Sequence, residues 1–182
     1  NAAQAQGVAK DEDQLVAARV MQRYEERLNA YQAVDFDDLI GLPLKLLMND
    51  EEARKKWQST FRHVLVDEYQ DTNRLQAGIL KALRPDGTGL TVVGDDAQSI
   101  YAFRAAEVRN ILEFPAQFQP PARLLTLTHN YRSTQPILDA SNAVISLAAE
   151  RFTKNLWSDK TGARPQLVSV LDEMAQARHA AD

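Results

Sequence analysis

Short apolar runs alternate with amphipathic segments from residue 61 onward, and this alternation limits the fold more than any other feature of the chain. The runs are rich in Val, Leu and Thr and are apolar on both faces, which is typical of buried parallel strands. They cover residues 64–66, 90–93, 124–127 and 167–170. Because helical segments lie between them, the pattern predicts an α/β fold with polar residues at the carboxyl ends of the strands, where such sheets bind ligands.

The segments before and between these runs show helical periodicity. Apolar residues between 12 and 31 recur every three or four positions, which predicts one amphipathic helix. A second helical stretch covers 36–48, and we expect it to break and restart near Gly41-Leu42-Pro43 because proline is tolerated in a first turn. Shorter helices are predicted at 51–58, from Leu75 to Leu83, from Val108 to Leu112, and after the start signal Ser133-Thr134-Gln135-Pro136.

The composition limits the kinds of site that the chain can build. Its 182 residues include no cysteine, which excludes disulfides, thiolate zinc sites and cysteine nucleophiles. The formal net charge of −4 provides no global basic field, so contact with nucleic acid must depend on local geometry. No apolar run approaches the ~20 residues that span a bilayer, and the histidines lack metal-ligand spacing. We expect a cytoplasmic protein with no membrane partner and no histidine-based metal site.

An acidic pair follows the first apolar run, in Val64-Leu65-Val66-Asp67-Glu68-Tyr69-Gln70-Asp71. Two carboxylates at the end of a buried strand are costly unless something compensates their charge. Mg²⁺ with a nucleotide phosphate is one compensator, since one carboxylate can orient the metal through its waters while the next polarises an attacking water. A solvated loop, in which Asp71 or Thr72 caps the next helix, explains this segment equally well by itself.

A second polar segment follows the next run, in Gly94-Asp95-Asp96-Ala97-Gln98-Ser99-Ile100-Tyr101-Ala102-Phe103-Arg104. The neutral amide of Gln98 can sense a γ-phosphate. Tyr101 and Phe103 can stack on unpaired bases, a contact that tolerates any sequence. Burial of both rings in the core is the alternative, and for aromatic residues in general it is the more common outcome.

A third segment, Thr128-His129-Asn130-Tyr131-Arg132-Ser133-Thr134, follows the run at 124–127. Arg132 suits a phosphate because its planar fork donates two hydrogen bonds and keeps its charge. Tyr131 beside it can stack on a nucleobase. Taken singly, the segment is explained better as a capped helix start with an incidental surface arginine.

The three segments resemble, in their order and in their residues, motifs of the UvrD/Rep/PcrA helicases of superfamily 1. The segment Asp67-Glu68-Tyr69-Gln70-Asp71-Thr72-Asn73 is similar to their motif II. Likewise, Gly94-Asp95-Asp96-Ala97-Gln98-Ser99-Ile100-Tyr101 is similar to motif III, and Asn130-Tyr131-Arg132-Ser133-Thr134 to motif IV. Upstream, Asp35-Phe36-Asp37-Asp38-Leu39 resembles the segment that enters this region. The resemblance extends from about residue 12 to about residue 180.

The resemblance implies a site for ATP and Mg²⁺. Asp67 would hold Mg²⁺, and Glu68 would be the general base for water attack on ATP. Gln98 would contact the γ-phosphate and link the nucleotide to the DNA-binding aromatics. Tyr131 would lie on the adenine, and Arg132 would reach the γ-phosphate from the second motor domain.

The resemblance also implies a DNA site for single strands and for single-strand/double-strand junctions. Tyr101 and Phe103 would stack on single-stranded DNA, with Arg104 nearby. The family usually has tryptophan where this chain has Phe103, a basic residue at Ala102 and glycine at Ala106. Stacking on phenylalanine involves less ring area, so the resemblance implies weaker or altered contact with DNA.

The domain organisation that the resemblance implies is a partial RecA-like motor domain, a parallel sheet with flanking helices, between two other parts. Residues 1–60 would be the helical end of accessory domain 1B and lead into domain 1A. Residues 61–119 would be the later part of 1A, with motifs II and III. Residues 122–182 would be the start of a second RecA-like domain, 2A, with motif IV.

The phosphate-binding loop Gly-x-x-x-x-Gly-Lys-[Ser/Thr] does not occur in this sequence, because none of the seven glycines is followed by lysine. We therefore expect a segment of a larger ATP-dependent 3′→5′ DNA helicase of repair or replication, inactive in isolation. Sheet edges left unpaired would lead to self-association. Two other interpretations are the motor region of a helicase–nuclease subunit and a non-catalytic nucleic-acid-binding module with the helicase shape.

Overall fold

The computed structural model describes residues 7, 11–104 and 106–181, except for the side chain of Arg104. In chain order its main elements are α1 (Glu12–Ala30), α2 (Asp38–Asn49), α3 (Glu51–Thr60), β1 (Val64–Val66), α4 (Arg74–Leu83), β2 (Leu90–Val92), α5 (Arg109–Glu113), α6 (Gln135–Ile145) and α7 (Glu173–Ala181). Short 3₁₀ helices cover Tyr69–Asp71, Asp96–Gln98, Ala102–Arg104 and Phe114–Gln117. In the part of the chain that is described, no helix has both the length and the apolarity needed to cross a membrane.

Strands β1 and β2 pair in parallel, with Val64 opposite Leu90 and Val66 opposite Val92. Helix α4 forms the connection between them. Asn73 begins this helix through a capping box with Gln76, so neither Asp71 nor Thr72 caps it, in contrast to the solvated-loop alternative. The mixed α/β arrangement with a small parallel sheet is confirmed. Because both strands end at the same edge, the polar segments that follow them lie side by side.

A cluster of aromatic side chains lies beside this edge. Tyr69, Phe114 and Phe118 are buried together with Ile111. The ring centroids of Tyr69 and Phe114 are 5.2 Å apart and those of Phe114 and Phe118 are 5.1 Å apart, in edge-to-face geometry. The cluster fixes the turn after β1, because Tyr69 belongs to that turn and its N–H donates to the carbonyl of Val93.

Helix α2 packs against α4 and continues through Pro43, so the predicted break near Gly41-Leu42-Pro43 is wrong. Pro43 cannot donate a hydrogen bond to the carbonyl of Leu39. Leu39 is exposed, however, so water can donate to that carbonyl instead. Packing of α2 against α4 compensates for the rest of the destabilisation that proline causes in a helix. Leu44 lies 3.3 Å from the place where a Cβ on Gly78 would be, so the two helices approach closely.

Two of the four predicted strands are wrong, those at 124–127 and 167–170. A strand forms only where a neighbour completes its backbone hydrogen bonds. Within the described residues these two segments pair with no strand, and Leu124, Leu125, Leu127 and Leu167 are exposed. Near the first of them, a single parallel bridge joins His129 and Trp157.

Candidate functional site

The acidic pair lies in a strained turn immediately after β1. Asp67 and Glu68 are both exposed. Glu68 has a left-handed backbone, with φ of 50° and ψ of 42°. Such a conformation costs a residue with a Cβ about 1–2 kcal/mol. The Oδ1 atom of Asp67 accepts a hydrogen bond from the N–H of Glu68 at 2.9 Å, which stabilises the turn.

Gln70 joins this turn to the segment that follows β2. Its side chain is only 1% exposed. Its Nε2 donates to Oε2 of Glu68 at 2.7 Å, and its Oε1 accepts from the backbone N–H of Asp95 at 3.0 Å. An amide can do both because it carries a donor and an acceptor. Through Gln70, the backbone N–H of Asp95 therefore fixes the position of the Glu68 carboxylate.

The carboxylate of Asp95 in turn holds Gln98. Its Oδ2 accepts from Nε2 of Gln98 at 2.9 Å. Its Oδ1 accepts from the N–H of Ala97 at 3.0 Å and so caps the 3₁₀ helix Asp96–Gln98. A chain of hydrogen bonds thus runs from Glu68 to Gln98 through Gln70 and Asp95. The structure brings these two predicted site residues together.

Lys154 is a part of this region that sequence reasoning missed. Its Nζ donates to Oδ1 of Asp95 and, at 2.9 Å, to Oδ1 of Asp96. The side chains of Lys154 and Asp96 are 14% and 2% exposed. Burial disfavours the charged forms of Lys154 and Asp95. Their mutual hydrogen bond nevertheless raises the pKa of Lys154 and, with that from Gln98, holds the pKa of Asp95 below its usual value.

Tyr131 and Arg132 lie in a separate loop near the start of α6. Oδ1 of Asn130 accepts from the N–H of Arg132 at 2.9 Å and from that of Ser133 at 2.7 Å, which fixes the loop. The ring of His129 stacks on Trp157 at 4.0 Å and lies 4.2 Å from the ring of Tyr131. Tyr131 and Arg132 themselves are exposed. Both therefore lie where a ligand can contact them.

Tyr101 and Phe103 form an exposed aromatic pair. Tyr101 is 36% exposed and Phe103 is 77% exposed, so in the structure neither ring belongs to the core. Their centroids are 5.9 Å apart, and the ring planes are tilted by 54°. The side chain of Arg104, the third predicted DNA-binding residue, lies outside the described part of the chain.

The donor chemistry of the acidic turn fits Mg²⁺. Carboxylate oxygen is a usual ligand of this ion, which otherwise keeps several waters and substrate phosphate oxygens. Asp67 presents an exposed carboxylate next to Glu68. The carboxylates of Asp95 and Asp96 are less suitable, because Lys154 already compensates their charge.

Comparison with known proteins identifies the family of this chain. The sequence model described as the UvrD/REP helicase N-terminal domain matches residues 1–119. The chain belongs to the UvrD/REP helicase family. Motifs II and III of the family resemblance both lie within the matched residues, so the two polar segments at the sheet edge belong to this family's domain.

Curated relatives agree with the family assignment. The chain is 43% identical over 187 residues to the ATP-dependent DNA helicase UvrD1 of Mycobacterium tuberculosis, an alignment that covers 97% of the chain and 24% of that protein. It is 39% identical over 176 residues to the ATP-dependent DNA helicase PcrA of Staphylococcus epidermidis, covering 96% of the chain and 24% of the relative. The chain thus spans about a quarter of the length of these relatives.

Proposed function

We propose that this chain is part of the motor of an ATP-dependent DNA helicase that works in the cytoplasm. The observation that carries the proposal is the hydrogen-bond chain from Glu68 through Gln70 and Asp95 to Gln98. It links an exposed carboxylate to an exposed amide across two parallel strands, which is what a sensor of the γ-phosphate requires. Family membership and the names of the relatives support the same activity.

The nucleotide site divides its tasks among six residues. Asp67 would hold Mg²⁺, and the ion would neutralise phosphate charge and orient the phosphates. Glu68 takes a proton from the attacking water, and Gln70 holds its carboxylate for that role. Asp95 accepts one hydrogen of the Gln98 amide, and the second can donate to a γ-phosphate oxygen. Arg132 contributes charge to the same phosphate.

The second part of the proposal concerns the architecture. Residues 61–119 form the later part of a RecA-like domain 1A, preceded in 1–60 by the end of domain 1B. Residues 122–182 begin a second RecA-like domain, 2A, from which Tyr131 lies on the adenine. The two short strands β1 and β2 then belong to a wider parallel sheet.

The DNA-binding part of the proposal rests on the exposed rings of Tyr101 and Phe103. They stack on bases of single-stranded DNA, including the single strand at a junction, with Arg104 beside them. The aromatic pair follows Gln98 closely in the chain, and this short connection couples the contact with DNA to the bound nucleotide. Movement is 3′→5′ along the strand, as the family resemblance implies.

The experiment that tests this function is DNA-stimulated ATP hydrolysis by a full-length protein that contains this sequence. We expect Glu68→Gln to lower kcat by about 10²-fold or more, because a positioned base contributes about 10²–10⁴-fold to such a step. Glu52→Gln, an exposed glutamate on α3, is the matched control and keeps full activity. Equal rates for Glu68→Gln and wild type would contradict the proposal, and salt-dependent DNA binding without a nucleotide effect would favour a non-catalytic module.

The isolated 182-residue chain provides a separate test. We propose that it does not hydrolyse ATP, because no loop of the P-loop pattern is present in it to bind the β- and γ-phosphates. We also propose that exposed sheet edges make it self-associate. Measurable DNA-stimulated turnover by the isolated chain would contradict the first statement. Light scattering that shows a monomer at high concentration would contradict the second.

A further inference from the structure

A short stretch of chain contacts both halves of the proposed nucleotide site. Residues 152–157, here called the connecting segment, bind the region after β2 at one end, where the N–H of Phe152 donates to Oδ2 of Asp96 at 3.0 Å. At the other end, the N–H of Trp157 donates to the carbonyl of Thr128 at 3.0 Å, and its carbonyl accepts from the N–H of Asn130 at 2.8 Å. The segment therefore joins the support of Gln98 to the loop that carries Tyr131 and Arg132.

The second half of the connecting segment is held in place by α6. Asn142 of α6 donates from Nδ2 to the carbonyl of Leu156 at 2.8 Å, and its Oδ1 accepts from the N–H of the same residue at 3.1 Å. This double contact ties the position of the segment to that of α6. Lys154 lies two residues before this double contact and forms the charged link to the other half.

Lys154 is the only cation that the structure shows bound to Asp95 and Asp96 within the described residues. A buried carboxylate without compensation is strongly disfavoured. One ammonium group serves two carboxylates, so its removal leaves both without an ionic partner. Lys154 and the N–H of Ala97 both donate to Oδ1 of Asp95, while Gln98 donates to Oδ2, so the side-chain contact with Lys154 helps to fix the orientation of this carboxylate.

We propose that Lys154 is a positioning residue for the γ-phosphate sensor, coupling the connecting segment to Gln98 through Asp95. The inference rests on the proposed function of Gln98. Lys154 would act on the nucleotide through its contact with Asp95. It sets the direction of the Gln98 amide, and it passes displacements of the Tyr131–Arg132 loop to that amide.

The test uses the full-length protein with Lys154→Met, Lys154→Arg and the control Lys55→Met, which breaks an exposed pair with Glu51. Two quantities are measured: kcat and KM for ATP, and the ratio of the affinities for mant-labelled non-hydrolysable ATP and mant-ADP. The ratio reports recognition of the γ-phosphate without turnover. We expect Lys154→Met to lower kcat and the affinity ratio by about 10-fold or more, since misplacement of a catalytic group by ~1 Å costs up to 10²-fold. Lys154→Arg restores most of both quantities, and Lys55→Met changes neither.

A second variant keeps the test decisive if Lys154→Met does not fold. Lys154→Met combined with Asp96→Asn removes one positive and one negative charge from the buried cluster, so its charge balance is unchanged. Asp96→Asn alone is its control and keeps the contact between Lys154 and Asp95. A folded double variant with the wild-type affinity ratio would overturn the proposal, as would a loss of stability with an unchanged ratio. If the wild type itself shows no ATP hydrolysis, the proposed function fails instead.

Discussion

Gln70 donates a hydrogen bond to Glu68 at 2.7 Å from a side chain that is almost completely buried. The exposed carboxylate is thus held by a group that is itself fixed on its other side by the backbone of Asp95. Such support is how a catalytic side chain is kept within the small range of geometry that a reaction tolerates. It also means that the properties of Glu68 can be changed without touching Glu68.

Gln70→Leu removes this support while conserving the approximate size of the side chain. We expect the free energy of unfolding to fall by about 1–3 kcal/mol, because the N–H of Asp95 loses its buried partner. We also expect kcat for ATP to fall in the full-length protein. Urea denaturation and steady-state kinetics check the two effects. Gln166→Leu, at an exposed position, is the control, and equal behaviour of the two variants would contradict the role of Gln70.

The left-handed backbone of Glu68 predicts an unusual order of stabilities among its variants. Glu68→Gly and Glu68→Ala both remove the carboxylate, and they differ only by a Cβ. At φ of 50° glycine avoids the strain that alanine retains. We expect the glycine variant to be more stable than the alanine variant by about 1 kcal/mol, with both inactive. Thermal unfolding of the two proteins measures the difference, and an alanine variant at least as stable as glycine would disprove it.

Gly94 lies against Tyr69 and Gln70 of the other polar segment, and we expect Gly94→Ala to be destabilising. A Cβ at this position would lie 2.6 Å from Oε1 of Gln70 and 2.7 Å from Cδ1 of Ile111. We expect a loss of about 1–3 kcal/mol in the free energy of unfolding, as for other overpacked sites. Gly41→Ala is the matched control, since nothing lies within 4 Å of its Cβ and alanine favours the helix α2. Denaturant titration of both variants checks that Gly94→Ala lowers the free energy of unfolding and that Gly41→Ala raises it.

The contact between Lys154 and Asp95 predicts how stability depends on pH. Burial opposes ionisation of Asp95, but hydrogen bonds from Lys154 and Gln98 lower its pKa on balance, so its contribution is present above the unfolded pKa and is lost as pH falls through the folded one. The pKa of Lys154 is raised, so its contribution is lost only at alkaline pH. We expect wild type to lose stability below about pH 4 more steeply than Asp95→Asn. Urea midpoints between pH 3 and pH 7 measure this, and parallel curves would contradict it.

The exposed aromatic pair predicts the strength of single-stranded DNA binding. Tyr101→Ala and Phe103→Ala should each weaken binding by about 1–3 kcal/mol, the contribution of stacking one base. Phe103→Trp should strengthen it, because a larger ring is offered. Tyr31→Ala, which removes an exposed ring from the end of α1, serves as the control. Fluorescence anisotropy with a labelled oligonucleotide measures all four, and losses no larger than that of the control would exclude the stacking role.

Much of the fold follows from local sequence pattern. The periodicity of 12–31 predicts α1, and the apolar runs at 64–66 and 90–93 predict the two strands that form. Pro43 misleads because tertiary packing between α2 and α4 outweighs the loss of one exposed hydrogen bond. The runs at 124–127 and 167–170 mislead because strand formation depends on a neighbour, which a one-dimensional pattern cannot supply.

The residues of the candidate site are predictable from the sequence to about the same extent as the fold. Asp67 and Glu68 follow β1 directly, and Gln98 lies in the polar segment that follows β2, so the order of the sequence points to them. Lys154 gives no such signal, because it is a single lysine in a polar stretch and it meets Asp96 only after 58 residues of chain. Gln70 lies within a recognisable motif, but nothing in the order of residues shows that its amide faces two partners in different segments.

The separation of these contacts along the chain also suggests the order in which the molecule assembles. The contact between Gln70 and Asp95 joins residues 25 apart, whereas that between Lys154 and Asp96 joins residues 58 apart. Because closing a longer loop costs more conformational entropy, we expect the β1–α4–β2 unit to form before the connecting segment docks on it. A segment that docks last also detaches first. The contacts that support Gln98 therefore form last in folding and are the first to break. Their partial opening leaves the pair of strands β1 and β2 intact.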